Sequence, residues 1–150
     1  MASTNCIRVS FEQPSHGWLP VKFSSNDFRL DIDASDVPIN PVYLLYRAIL
    51  DVVDGIEARV WWHLEPTGYY FDFSQPQSRL YCLVIKYQPN GRAQEFLYET
   101  TGTATEIILP FCRAIKKLAS YEHEEHDWPK LEEKQLASLD SIIKFLKNET

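Results

Sequence analysis

Two histidines in an acidic segment are the first candidates for chemistry in this chain. His123 and His126 lie three residues apart in the sequence YEHEEHDW. A zinc-protease helix carries its histidines four residues apart, because that spacing places both imidazoles on one side of the helix. The spacing here is three residues instead of four. The high proportion of acidic residues in this segment is typical of a solvated loop between helices. We predict no cofactor and no native metal site, and keep the two histidines only as candidate ligands for an adventitious ion.

A second arrangement places His63 and Asp72 on one face of an expected β-hairpin. A carboxylate beside an imidazole can orient it as a general base. No serine or cysteine stands in a recognisable nucleophile motif, and Cys82 is expected to face the core. We therefore interpret His63 as a structural or interface residue and predict no catalytic residue.

Asp31 and Asp33 share one face of an expected strand, where they could bind a cation or act as an acid and base pair. Acids at the end of a strand more often solvate the loop that follows. These residues leave one alternative function open, a small-ligand-binding protein or an unrecognised enzyme. Its pocket would lie between sheet and helices, near Asp31, Asp33 and His63.

The composition describes a single domain over residues 1–150. Hydrophobic residues make up 45% of the chain and aromatic residues 13%, which is enough apolar surface for a packed core. The net charge is −6, with acids spread along the chain, and this disfavours non-specific binding of nucleic acid or of an anionic membrane. The same charge is compatible with a basic protein partner.

The cysteines and the N-terminal segment bear on the cellular compartment. Cys6, Cys82 and Cys112 are odd in number and far apart, as in a reduced cytosolic protein. The start, MASTNCIRVSFEQ, lacks a basic region followed by an apolar run, so we expect no signal peptide. No stretch approaches the ~18 apolar residues of a transmembrane helix. A cytoplasmic location is the resulting expectation.

The elements that must position these residues follow from periodicity and capping residues. Alternating residues predict a strand over Ile7–Glu12 and a hairpin with strands Trp18–Phe23 and Phe28–Ile32. Asn40 as N-cap and Gly55 beyond the end delimit a helix with one apolar stripe.

Two further helices are expected near the C-terminus. Thr103 opens a capping box for a helix to about Tyr121, which Pro110 should kink or delay. Asp127 is expected to cap a final helix from about Trp128 to Lys147. The whole is predicted as an α+β domain, mainly an antiparallel sheet of about seven strands packed by three helices, in the order βββ-α-ββββ-α-α.

The most informative segment is the aromatic hairpin Ala58–Ser74, read ARVWWHLEPTGYYFDFS. Its strands flank the four-residue turn Glu65–Gly68, in which Gly68 can accept a positive φ. This turn places Leu64 opposite Tyr69. One face is apolar, whereas the other mixes large aromatic with polar side chains, as at a binding surface. The predicted interaction residues are Arg59, Trp61, His63, Tyr70 and Asp72. The alternative is that the last helix covers this face.

A second hairpin, with strands Arg79–Tyr87 and Arg92–Tyr98, is apolar on both sides. Its expected register turns Cys82 and Val84 toward the core. The opposite face is either covered by a helix or open as the interface of a symmetric dimer. The residues of that candidate interface are Tyr81, Leu83, Ile85 and Leu97.

The capped helix NPVYLLYRAILDVVDG is followed by the hairpin WWHLEPTGYYFDF, an edge hairpin and the helix ILPFCRAIKKLA. This order resembles a group of small uncharacterised bacterial proteins, some similar to the immunity proteins of polymorphic toxin systems. The resemblance covers roughly Val37–Ala119 and carries over no functional residue by position. It implies a non-enzymatic cytosolic protein that binds and blocks a toxin domain, and an acidic protein would be steered toward a basic toxin.

Overall fold

The computed structural model describes residues 6–149 and contains seven strands and four helices within them. The strands are β1 (Ile7–Phe11), β2 (Trp18–Ser25), β3 (Phe28–Ser35), β4 (Ala58–His63), β5 (Gly68–Gln77), β6 (Leu80–Gln88) and β7 (Glu95–Gly102). The helices are α1 (Pro41–Val53), α2 (Ala104–Ile107), α3 (Leu109–Ala119) and α4 (Glu133–Glu149). The predicted α+β class is confirmed, and the element order matches apart from the added one-turn helix α2.

None of the helices between residues 6 and 149 is long and apolar enough to cross a bilayer. Residues 1–5, which begin the segment expected to lack a signal peptide, lie outside the described residues.

The seven strands form two antiparallel sheets rather than one. β1 to β3 make a three-stranded sheet, and β4 to β7 make a four-stranded sheet, both in sequence order. In the smaller sheet Phe11 lies opposite Val21 on the buried face, and Lys22 lies opposite Asp31 on the exposed face. The alternation of apolar and polar residues therefore gives each of these strands one buried side.

Phe111 of α3 joins the two sheets through the core. Its ring centroid lies 6.1 Å from that of Phe23 in β2 and 5.2 Å from that of Phe73 in β5. Phe71 of β5 also contacts Phe23 directly, at 5.6 Å between centroids. All four side chains are buried. The core therefore lies between the apolar faces of the sheets and the helices that pack on them.

α1 begins and ends where the sequence predicts. The Asn40 side chain accepts a hydrogen bond from the backbone N–H of Val42 at 2.9 Å, and Pro41 is the first helical residue. The other end is held by the sheet, because Gln75 of β5 donates to the carbonyl of Val52 at 2.8 Å. α1 packs on β4 and β5.

The helix predicted after Thr103 is divided as its proline suggests. Both hydrogen bonds of the capping box between Thr103 and Glu106 are present. Because proline lacks an N–H, it is tolerated in the first turn of a helix but not in its interior. Pro110 accordingly lies in the first turn of α3, after α2 has ended at Ile107.

The predicted start of the last helix is wrong. The Asp127 carboxylate does not cap it, but accepts a hydrogen bond from the backbone N–H of His16 at 3.0 Å. Trp128 precedes Pro129, and a residue before proline is disfavoured in the helical conformation. Trp128 instead fills a core position, with 1% of its surface exposed, and α4 begins at Glu133.

The inward face of β6 is the opposite of the predicted one. Leu83 lies opposite Phe73 and Ile85 lies opposite Phe71, so these side chains share the inner face of the sheet. Tyr81, two residues before Leu83, points the same way, and all three β6 side chains are fully buried. They cannot contribute to an exposed interface.

The predicted dimer interface therefore fails for three of its four residues. Only Leu97 is exposed, at the bulge where the pairing of β6 and β7 shifts. Cys82 and Val84, predicted to face the core, lie on the outer side of the sheet, where they pair with Thr101 and Glu99 of β7.

Candidate aromatic interface

The outer side of the four-stranded sheet carries the residues predicted for an interaction face. We call Arg59, Trp61, His63, Tyr70 and Asp72 the aromatic face. They project from β4 and β5 on the side opposite the core, and none of them is buried. α4 packs against α2 and α3 and leaves the aromatic face open. The alternative, that the last helix covers Trp61 and Tyr70, is wrong.

The pairing of the two strands differs from the predicted register by two residues. Arg59 lies opposite Asp72 and Trp61 lies opposite Tyr70, whereas the predicted turn placed Trp61 opposite Asp72. The loop is two residues shorter than predicted. It is closed by a 2.7 Å hydrogen bond from the N–H of Leu64 to the carbonyl of Thr67, rather than by pairing of Leu64 with Tyr69. A shift of two residues keeps every side chain on the same side of the sheet. The residues predicted for the aromatic face therefore still lie together, although the predicted register was wrong.

The rings of the aromatic face form a continuous row. The Arg59 guanidinium carbon lies 4.1 Å from the centroid of the Tyr70 ring. Tyr70 lies 4.7 Å from Trp61, and Trp61 lies 5.6 Å from His63, both measured between ring centroids. A cation over an aromatic ring and neighbouring stacked or tilted rings are attractive arrangements. The contacts that hold the row together therefore lie within the chain itself.

A network of charges fixes one end of this row. Arg59 donates to both carboxylate oxygens of Asp72, at 2.6 and 2.9 Å, and to the side-chain oxygen of Gln94 at 3.3 Å. Lys86 of β6 lies 3.3 Å from the same carboxylate. Sequence reasoning missed Lys86 and Gln94, because only the sheet pairing brings them to this face.

The contact between Asp72 and Arg59 shifts the pKa values of both groups. Burial raises the pKa of the Asp72 carboxyl, but its hydrogen bond and charge interaction with Arg59, and then with Lys86, outweigh burial and hold this pKa below its ordinary value. The hydrogen bond that Arg59 donates to the Asp72 carboxylate raises the pKa of Arg59. Both groups are therefore charged at neutral pH.

We expect Asp72→Asn to lower the free energy of unfolding by about 1 kcal/mol at neutral pH, since it removes a paired charge at a half-exposed site. The folded pKa of Asp72 lies below the unfolded one, so its stabilisation is complete above about pH 4 and is lost as the pH falls through the folded value. Urea unfolding between pH 3 and pH 7 measures this difference. The matched control is Asp33→Asn on the exposed side of β3, and an equal loss in both variants would contradict the prediction.

His63 is bound to the loop before α1 rather than to Asp72. Its Nδ1 lies 2.7 Å from the carbonyl oxygen of Val37, and since a carbonyl only accepts, Nδ1 donates. Asp72 is engaged by Arg59 and Lys86. The pairing of imidazole and carboxylate that general-base catalysis would use is therefore absent from this face.

The other candidate residues are dispersed. Asp31 and Asp33 lie on the exposed side of the three-stranded sheet and line an open hollow with Trp18 and Leu64, but His63 does not line it. The pocket that was to bring Asp31, Asp33 and His63 together is not formed. Burial raises the pKa of the Cys112 thiol to about 12, and burial with a hydrogen bond to Glu99 raises the pKa of Cys82. Neither thiol is activated as a nucleophile.

His123 and His126 have different partners. His123 donates from Nδ1 to the carbonyl of Tyr121 at 3.2 Å, whereas His126 lies 3.5 Å from the Asp127 carboxylate and near the ring of His16. Within residues 6–149, no three histidine, cysteine, aspartate or glutamate side chains are placed to share a metal ion.

Comparison of the chain with models of known families, with curated proteins and with solved structures gave no match. The geometry of the aromatic face and the charge of the chain are the features that bear on its function.

Proposed function

We propose that this chain is a non-enzymatic module that binds a protein partner through the aromatic face. The observation that carries the proposal is the open row of Arg59, Tyr70 and Trp61, held in place by Asp72. Arginine, tyrosine and tryptophan are the residue types that dominate the energetics of protein interfaces. Because contacts within the chain already hold these side chains, less conformational entropy would be lost when a partner binds them.

The partner we propose is a basic protein domain, and the role is that of a bacterial immunity protein that blocks a toxin in the cytoplasm. The chain carries a net charge of −6. Several of its acids are exposed in the segment between α3 and α4, including Glu122, Glu124 and Glu125. Such a charge raises the rate of association with a basic partner and weakens with added salt.

The alternative of an enzyme has less support. His63 is engaged by Val37 and the two buried thiols have raised pKa values. A small-ligand function near Asp31 and Asp33 has no enclosed site, because the hollow they line is open.

The decisive variant is Trp61→Ala. We expect the affinity for the partner to fall by about 2 kcal/mol or more, roughly thirty-fold, while the fold is kept. Immobilised wild type serves as bait in a host lysate, and calorimetry then measures the affinity of each retained protein for wild type and variant. Trp18→Ala is the matched control, because Trp18 is a 39% exposed tryptophan on the other sheet.

Three outcomes would contradict the proposal. Trp61→Ala could unfold the domain, which would make Trp61 a core residue. Trp61→Ala and Trp18→Ala could bind the retained protein with equal affinity, which would place the interface elsewhere. Affinity independent of salt would contradict a basic partner.

A further inference from the structure

The outer side of the three-stranded sheet carries two arginines that flank a serine. Arg8 of β1 lies opposite Ser24 of β2, and Ser24 lies opposite Arg29 of β3. Phe23 and Ser25, the neighbours of Ser24 along β2, are buried, so the Ser24 side chain projects to the outer side. Both arginines are exposed, and they line one open hollow together with Ser24. With neighbouring strands about 4.8 Å apart, the two arginine backbones lie about 10 Å from each other.

Neither guanidinium group has a partner in the part of the chain that the structure describes. Arg8 and Arg29 form no ion pair and no side-chain hydrogen bond with a described residue. The hollow also contains Lys22, whose ammonium group lies 3.7 Å from the carboxylate of Glu12. Asp31, which lies opposite Lys22, is the acid among the described residues that line the hollow. Two unpaired positive charges therefore lie close together on one side of the sheet, in a chain of net charge −6.

A phosphate group supplies the negative charge and the acceptor oxygens that this arrangement lacks. A phosphate monoester carries about −1.5 to −2 charges at neutral pH and three acceptor oxygens. Each guanidinium group presents paired N–H donors that match two such oxygens, and the Ser24 hydroxyl can donate as well. A carboxylate has only one charge and two oxygens, so it engages the two arginines less fully. Because charge-assisted hydrogen bonds rather than enclosure would hold the ligand, an open hollow is sufficient.

We propose that this hollow binds a phosphate group through Arg8, Arg29 and the Ser24 hydroxyl. The phosphate belongs to a small free compound or to a phosphorylated side chain, because the net charge of the chain repels a long polyanion. The hollow and the aromatic face lie on different sheets. The phosphate site is therefore independent of the proposed protein interface, and either could fail while the other holds.

Two peptides that differ only in their central side chain test the proposal. We titrate a capped Ala-phosphoserine-Ala peptide and its Ala-Glu-Ala analogue into ¹⁵N-labelled protein at pH 7 and constant ionic strength. The phosphopeptide should produce saturable shifts in the backbone N–H signals of Arg8, Ser24 and Arg29. The glutamate peptide should bind at least about fivefold more weakly, because it brings less charge and fewer acceptor oxygens.

Inorganic phosphate, titrated in the same way, distinguishes the two sources of the phosphate group. If it binds at least as tightly as the phosphopeptide, the hollow recognises the phosphate alone, and the ligand is a small free phosphate compound. Tighter binding of the phosphopeptide would mean that the residues beside phosphoserine also contact the sheet, and that the ligand is a phosphorylated side chain. Both results support the proposal.

Variants of exposed residues assign the binding to the hollow without disturbing the core. Arg8→Lys and Arg29→Lys keep the charge but lose the paired N–H donors, so each should weaken phosphopeptide binding about fivefold. Arg47→Lys on the exposed side of α1 is the matched control and should leave the affinity unchanged. Asp31→Asn removes the acid of the hollow and should strengthen binding about twofold.

Four results would overturn the proposal. They are no saturable shift with the phosphopeptide, equal affinity for the two peptides, an effect of Arg47→Lys equal to that of the other two arginine variants, and unchanged affinity in Asp31→Asn. The last two results would place the bound phosphate outside the hollow.

Discussion

Phe111→Ala is expected to lower the free energy of unfolding by about 4 kcal/mol. The side chain is fully buried and contacts Phe23 of one sheet and Phe73 of the other, so its removal leaves a cavity that neither sheet can close alone. Urea unfolding followed by far-UV circular dichroism measures the loss.

The matched control for this prediction is Phe145→Ala. Phe145 is 54% exposed on α4, so its loss should change the unfolding free energy by no more than about 0.5 kcal/mol. A loss below about 1.5 kcal/mol for Phe111→Ala would mean that α3 does not hold the sheets together. Equal losses in the two variants would mean that the assigned core is wrong.

Gly68→Ala is expected to cost about 3 kcal/mol, at the upper end of the range for overpacking. A Cβ at this position would overlap the indole of Trp61 and the backbone carbonyl oxygen of Trp62. The indole could move aside, but the carbonyl belongs to the hairpin backbone and cannot. The variant should therefore change the Trp61 environment as well as stability, which fluorescence and unfolding measure together.

Gly91→Ala is the control that distinguishes steric overlap from backbone strain as the cause of the loss. Gly91 has a φ of +71° and nothing within 4 Å of its hypothetical Cβ, so Gly91→Ala should cost only about 1 kcal/mol. Gly68 does not have a positive φ, so strain cannot account for its larger loss. The prediction fails if Gly91→Ala costs as much as Gly68→Ala.

The role of Gly68 differs from the one expected from its place in the turn. The sequence suggests a glycine that supplies a positive φ, but within this turn the positive φ belongs to Glu65. Gly68 is instead required because the Trp61 indole lies against its backbone. The close approach could not be read from the sequence, since it depends on where a ring seven residues away is placed.

The sequence by itself determined the local features of this protein. Helix caps at Asn40 and Thr103, the break at Pro110 and the alternation along Ala58–Ser74 all depend on contacts within a few residues. Such contacts are encoded by neighbouring side chains, so the elements and the membership of the aromatic face were predictable.

Only the tertiary structure decided features that depend on distant partners. β6 is apolar on both sides, so its inward face was set by pairing with Phe71 and Phe73 rather than by its own pattern. α4 begins late because Asp127 is bound to His16 and Trp128 is packed in the core. Asp72 pairs with Arg59 rather than with His63 because the register of β4 and β5 places Arg59 directly opposite Asp72. Alternation of apolar and polar residues alone does not fix that register.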